Sequence, residues 1–480
     1  MSNTKGVTSI NIVNVSAPQQ NGEVIILKKR LGIILTAALM VSLLAGCSKS
    51  ENKVSTDITT PEGNKGTNSS PVEPTGGDSE AFTIRASTWF FDDTTTAYQA
   101  AIEKKYKEMY PNATIQWDVL LGEKYFDKLK TELATNSAAD VIFFQNFGGQ
   151  DLLNLYNKAG YLTDLSDQPW VSTVVEASLP FLKSEDGKVV AAGTTVGGEG
   201  FWYNKKIFAD NGLTAPTNWD EFIKLNEALK AKTITPIVAG FKDQWTLGMT
   251  LTDLIQTIKS SKNINFDRDL YDGKEKINGP EYQEALDKFA ELTSKGFFNK
   301  NALTIDWPQS RLEFAAGKAG MIYQGNWLPG MLDADWKDKG LTAFDVGYFA
   351  MPAGPKPVFS IGAGDYIAVN AKTKYVQQSK DLLSAIIDES TLSIRANDSG
   401  SVPIYKDMKV TYTVPATNDF LALFQNGIKV PGYALIPPSV GDTLLQAASR
   451  LVAGEKLSGK ELEDAQKNYD KDKGSLILPK

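Results

Sequence analysis

Tryptophans and carboxylates are the residues placed to do chemistry in this chain, because the usual catalytic groups are missing. The sequence holds no histidine and one cysteine among 480 residues. That excludes a Ser-His-Asp triad, a Cys-His pair and a histidine-ligated zinc. One cysteine cannot form an internal disulfide. Carboxylate chemistry remains, or binding without chemistry. Trp89, Phe90, Asp92 and Asp93 follow an alternating apolar run, and Gln145 and Asn146 follow another. Glu199 stands just before the aromatic run 201–203. Asp243 and Trp245 follow the segment 237–240, and Asn326 and Trp327 follow 321–323. Rings can stack on apolar C–H faces of a ligand, while carboxylates and amides can engage its polar edges.

The elements that must carry these residues are legible in the periodicity. Phe82, Ile84 and Ala86 alternate with polar residues, as in a half-buried strand. Tyr98, Ile102 and Tyr106 have helical spacing, and Pro111 ends that helix. Ile115, Trp117 and Val119 alternate again, Phe126, Leu129 and Leu133 mark a helix, and 140–144 reads as a buried strand. The order β-α-β-α-β predicts crossover helices over a mostly parallel sheet. Ligands of such sheets bind beyond the carboxyl ends of the strands.

A second α/β block follows. Thr217 and Asp220 suit a helix start, with Trp219, Phe222, Leu225 and Leu229 as its apolar face. Residues 234–239 read as a strand, Tyr282, Leu286 and Phe289 as a helix, and 317–323 as the approach to another strand. The segment 443–470 reads as helical, broken near Gly454 and Gly459. Trp117, Trp202 and Trp219 are expected in the core. Asp267 with Asp269, and Asp333 with Asp335, lack the glycine and spaced acids of a calcium loop. They read as surface charge, and no metal or cofactor is expected. With 57 acidic against 50 basic side chains, a net charge of −7, nucleic acid is not expected as a partner.

The N-terminal region accounts for the cysteine. Lys28, Lys29 and Arg30 precede 31–44, a run of 14 residues without charge. As a helix it would span about 21 Å, short of a bilayer core, and it reads as a secretory signal. The stretch ahead of Lys28 is long for such a signal, and the start of translation is expected later, at Val24. Residues 48–80 are rich in Pro, Gly, Ser, Thr and Asn and carry no aromatic residue. Such a segment reads as a tether.

Three motifs give the chain a resemblance. They are Gly160-Tyr-Leu-Thr-Asp-Leu165, Gly200-Phe-Trp-Tyr-Asn204 leading to Pro216-Thr-Asn-Trp-Asp-Glu-Phe222, and Phe314-Ala-Ala-Gly-Lys-Ala-Gly-Met-Ile-Tyr-Gln-Gly-Asn-Trp327. In this order, behind Leu44-Ala-Gly-Cys47, they resemble the family 1 extracellular solute-binding proteins of ABC importers. The 44–47 segment resembles a lipobox, which implies lipidation of Cys47 after removal of 1–46 and a tether over 47–80. Trp202 departs from the aliphatic or Tyr usual there. The resemblance implies a two-lobed periplasmic-binding-protein-like (type II) α/β fold. Each lobe would be a mostly parallel sheet flanked by helices, with the ligand cleft between them. The N-terminal lobe would comprise 81–194 plus 365–410, and the C-terminal lobe 195–360 plus 411–480. Crossings would fall near 190–198, 359–365 and 405–415.

By resemblance, Trp327 is a sugar-stacking ring, and Asn146 and Trp245 lie where ligand contacts arise. The candidate ligand residues are Trp89, Asp92, Asn146, Glu199, Trp245, Asn326, Trp327, Asp365 and Tyr433. The implied protein is a monomer held by lipid to the outer face of a Gram-positive cell membrane. It would bind a carbohydrate by lobe closure and pass it to ABC permease subunits. Two other readings stay open from the residues: a receptor for a peptide or polyamine, since Trp and Asp also suit cations, and a secreted glycoside hydrolase working with two carboxylates.

Overall fold

A computed structural model describes residues 81–92, 95–146, 151–431 and 436–476. The proposed signal, Cys47, the tether, Asp93 and Tyr433 lie outside the described residues. The chain first lays down β1 (Thr83–Thr88), α1 (Thr96–Met109), β2 (Thr114–Val119), α2 (Lys124–Ala134) and β3 (Val141–Phe144), the order read from the sequence. Tyr98, Ile102 and Tyr106 are the buried stripe of α1, which stops just before Pro111. β1 pairs in parallel with both β2 and β3. α3 (Leu152–Lys158) follows, and irregular chain then leads to the short β4 (Thr195–Val196).

Next come β5 (Glu199–Asn204), α4 (Lys205–Asp210), α5 (Trp219–Ala231), β6 (Thr235–Val238) and α6 (Gln244–Lys262). α7 (Phe266–Tyr271), α8 (Pro280–Ser294), α9 (Trp307–Ala315), β7 (Ala319–Gly325), α10 (Leu328–Lys339) and β8 (Val346–Phe349) complete this block. The start of α5 differs from the sequence reading. Its cap is Asn218, whose side chain accepts the Glu221 N–H. Glu221 reaches back to the N–H and hydroxyl of Thr217, so the reciprocal pair is shifted by one residue from Thr217 and Asp220.

The chain then returns through β9 (Val358–Ile361) to β10 (Tyr366–Val369), which joins the first sheet antiparallel to β3. α11 (Val376–Ile386) and α12 (Glu389–Ser399) follow. β11 (Val402–Pro403) pairs with β4, α13 (Pro415–Asn426) leads to β12 (Ile428–Pro431), and β12 pairs with β9. α14 (Pro438–Val452) and α15 (Glu461–Asp472) are separated across Gly454 and Gly459.

The buried apolar residues separate along these lines. One cluster takes residues from 84 to 192 and from 363 to 405. Two others take 201 to 351, Phe359 and residues from 416 onward. The core therefore changes sides three times: between Ala192 and Phe201, between Phe359 and Ala363, and between Tyr405 and Ala416. The N-terminal lobe's sheet runs β10-β3-β1-β2 and is mostly parallel. The C-terminal lobe's sheet, β6-β7-β5-β8, has the same three-to-one make-up, with β6, β7 and β8 running one way and β5 against them. β5 is antiparallel to β7 and to β8. The cause is its entry: β5 comes straight from the crossing and starts at the cleft edge, where β7 ends, with Glu199 opposite Gly325.

Trp202 is fully buried and Trp219 is buried, as residue type suggests. Trp117 is half-buried against the first core and donates its indole N–H to Glu103 at 2.9 Å. Two acids expected at the surface are not there. Asp335 is buried with Arg311, and Asp267 pairs with the buried Lys259.

Candidate functional site

Three tryptophans stand in the first turns of three helices at the cleft edge of the C-terminal lobe. Trp245 begins α6, Trp307 begins α9, and Trp327 caps α10. Their rings form a chain, with centroids 6.1 Å apart for Trp307–Trp245 and 6.4 Å for Trp245–Trp327. Asp243 ties two of these helix starts together: its carboxylate accepts the Trp307 N–H at 2.8 Å. Arg311 lies over the Trp307 ring at 5.4 Å and is held by Asp335 through two hydrogen bonds of 2.7 and 3.0 Å. Trp202 fixes the end of β7 from below, donating to the carbonyls of Gln324 and Gly325.

Beside the rings sit two acids. Tyr323, on β7, donates its hydroxyl to Asp253 of α6. Asp253 is 9% exposed. Burial and the nearby Glu199 carboxylate push Asp253 up to about 8, against the opposing pull of the Tyr323 hydroxyl. Burial also raises Glu199. A neutral Asp253 can donate a hydrogen bond as well as accept one.

The facing edge belongs to the N-terminal lobe. Trp89 and Phe90 leave the end of β1, and Trp89 packs on Phe90 and Phe126 with centroids 5.2 Å away in each case. The Arg395 guanidinium lies over Phe90 at 4.5 Å and 3.6 Å from the Asp365 carboxylate. Its Nε is buried without a hydrogen-bond partner among the described residues. Burial raises Asp365, with Arg395 opposing. Glu123, ahead of α2, is raised by desolvation and then by the charge of Asp243 on the other lobe.

The structure thus gathers Glu199, Trp245 and Trp327 on one wall and Trp89 and Asp365 on the other. It places two candidates in structural roles. Asn326 is buried at the crossing, where its side-chain carbonyl accepts the Gly198 N–H at 3.0 Å and its amide donates to the Ser399 carbonyl at 2.6 Å. Its position after β7 was read correctly, but its amide straps the hinge. Asn146 accepts the N–H groups of Leu152 and Leu153, so its oxygen serves the start of α3. Asp92 is exposed, with its N–H on the Thr95 hydroxyl at the start of α1. Sequence reasoning missed Trp307, Asp253 and Arg395. A signal existed for Asp253, a lone acid in the apolar run 247–258. Another existed for Trp307, in the Asp306-Trp307-Pro308 helix start. Arg395 carries none in its own segment. Among the described residues no group of three or more His, Cys, Asp or Glu is placed to hold a metal ion.

A sequence profile described as bacterial extracellular solute-binding protein matches residues 91–390, more than half of the chain. The chain belongs to this family. The solute-binding protein is 30% identical over 260 residues to the Multiple sugar-binding protein of Streptococcus mutans, an alignment covering 52% of this chain and 59% of that one. It is 23% identical over 350 residues to an uncharacterized ABC transporter extracellular-binding protein of Pyrococcus horikoshii, covering 71% and 76%. Among solved structures, a chitin oligosaccharide binding protein superposes with a TM-score of 0.68 at 24% identity, covering 82% of this chain and 99% of that one. The solute-binding protein RafE in complex with raffinose gives 0.67 at 20% identity, covering 82% and 100%. These likenesses place the chain in the two-lobed type II fold. No helix among the described residues is long and apolar enough to cross a membrane.

Proposed function

We propose that this solute-binding protein captures a carbohydrate, an oligosaccharide in particular, between its lobes and delivers it to the permease of an ABC importer. The observation that carries the reading is the file of three tryptophan rings bordered by Glu199 and Asp253. Rings in a row offer stacking faces to successive pyranoses, and the carboxyl groups and Tyr323 offer partners for hydroxyls. The names of its relatives support it: one is a multiple sugar-binding protein, and one neighbour holds raffinose. The ligand set is Trp89, Glu199, Trp245, Trp327, Asp365 and Tyr433, with Asp253, Trp307 and Arg395 added and Asp92 at the rim. Closure buries the ligand from both sides, and the closed form is what the permease would recognise. The ligand leaves unchanged. Lipid on Cys47 and the tether 48–80 would hold a monomer at the outer face of a Gram-positive membrane.

A thermal-shift screen of residues 81–480 against mono- and oligosaccharides tests this. Ligand at 100 times Kd adds about 2.7 kcal/mol, a shift of several degrees. One sugar class should raise the midpoint, and Trp245→Ala and Trp327→Ala should each weaken its binding by about tenfold or more. A flat response to every sugar, or full affinity in both variants, would overturn the reading.

A further inference from the structure

The acids that border this cleft differ in how they are answered. Asp365 has Arg395, Asp335 has Arg311, and Asp306 has Lys242. Among the described residues no Lys or Arg pairs with Glu199 or Asp253. Asp253 takes the Tyr323 hydroxyl, and Glu199 stands opposite Gly325, two residues beyond Tyr323 on the same strand. On the second wall Arg395 is already engaged by Asp365 and Phe90. A buried and a half-buried carboxyl group close together without a counter-charge are costly when both ionise. A ligand can remove that cost if it carries the missing charge. The rings beside them point the same way, because an ammonium is attracted to the face of an indole.

Resting on the sugar reading, we propose that the ligand is an amino sugar, with its ammonium group between Glu199 and Asp253 and its ring on the Trp245–Trp327 shelf. An ammonium has three N–H donors and no acceptor, so one group can serve both carboxylates. An N-acetyl or hydroxyl group at the same carbon is neutral. It would leave the Glu199 charge enclosed without a counter-charge once the lobes close.

Matched sugars test this by calorimetry on residues 81–480. Each set holds the β-linked disaccharide of glucose, of N-acetylglucosamine and of glucosamine, with the galactose series as a second set. The free-amine member of one set should bind at least about tenfold more tightly than its two neutral counterparts. Asp253→Asn and Glu199→Gln should each shrink that ratio to about threefold or less. Melting curves confirm that the variants fold, and the wild-type ratio decides the matter even if one does not. Neutral members binding as tightly as the amine, or an amine preference untouched by both substitutions, would overturn the proposal and leave the sugar reading standing. Silence from every sugar would overturn the sugar reading and this inference together, most plainly if spermidine then bound.

Discussion

The ring of Trp327 lies directly over Gly325: a β-carbon at residue 325 would overlap three of its ring atoms. Gly325 ends β7, and Trp327 caps α10 two residues later, so the ring folds back over its own strand end. Trp202 holds the Gly325 carbonyl from the other face. The shelf is therefore set by a missing side chain. Gly325→Ala should displace the Trp327 ring, weakening ligand binding by about tenfold while the melting midpoint moves by only a few degrees. Calorimetry and tryptophan emission check this. Unchanged affinity would mean that Trp327 does not contact the ligand.

Asn326 joins two segments that are far apart in sequence. Its carbonyl takes the Gly198 N–H, and its amide gives to Ser399 beside the C-terminal end of α12. Both bonds are buried, so Asn326→Ala leaves a donor and an acceptor unsatisfied, at about 1–3 kcal/mol for each. Urea unfolding should show a loss of about 2–6 kcal/mol for the two together. Stability equal to wild type would mean that water replaces the strap.

The contrast between these two neighbours shows what a sequence carries. Strand ends are local: alternation and helical spacing located Trp245, Trp327 and Asn326 at the edge of the second sheet. Partners are not local. Nothing near Asn326 announces Ser399, 73 residues on, and nothing near Phe90 announces Arg395. The direction of β5 was hidden for the same reason, since its antiparallel course follows from the crossing that feeds it. At α5 the local signal was real but degenerate. Thr217, Asn218, Asp220 and Glu221 all suit a helix start, and hydrogen bonding selects Asn218 with Glu221.

Asp253 should make stability depend on pH. Its folded value is about 8, raised by burial and then by Glu199, against a usual value near 3.9 in an unfolded chain. Between those values the folded state keeps a proton that the unfolded chain has lost. Stability from this group is thus full below pH of about 4 and is lost as pH rises toward about 8, by up to about 1.4 kcal/mol per unit. Asp253→Asn removes the titration and keeps an acceptor for Tyr323. The fall in melting midpoint between pH 5 and 8 should be shallower in the variant, with the remainder due to Glu199, which is raised in the same direction. Parallel curves for the two proteins would place the titration elsewhere.

The pair behind Trp307 separates stability from ligand binding. Asp335 is buried and Arg311 half-buried, and two hydrogen bonds join them, with the guanidinium also over the Trp307 ring. Asp335→Ala leaves that half-buried cation without its partner, at a cost below the about 3–5 kcal/mol of a fully buried pair. Replacing both, as Arg311→Met with Asp335→Leu, removes the two desolvation penalties together, and stability should return most of the way to wild type. Binding should not return. Trp307 would still lack the cation that holds its ring against Trp245, so the double variant should remain weaker for an oligosaccharide than wild type, with less change for a monosaccharide. Urea unfolding and calorimetry on the same preparations separate the two effects. Full affinity in the double variant would mean that Trp307 takes its position from the Asp243 bond to its backbone and not from Arg311.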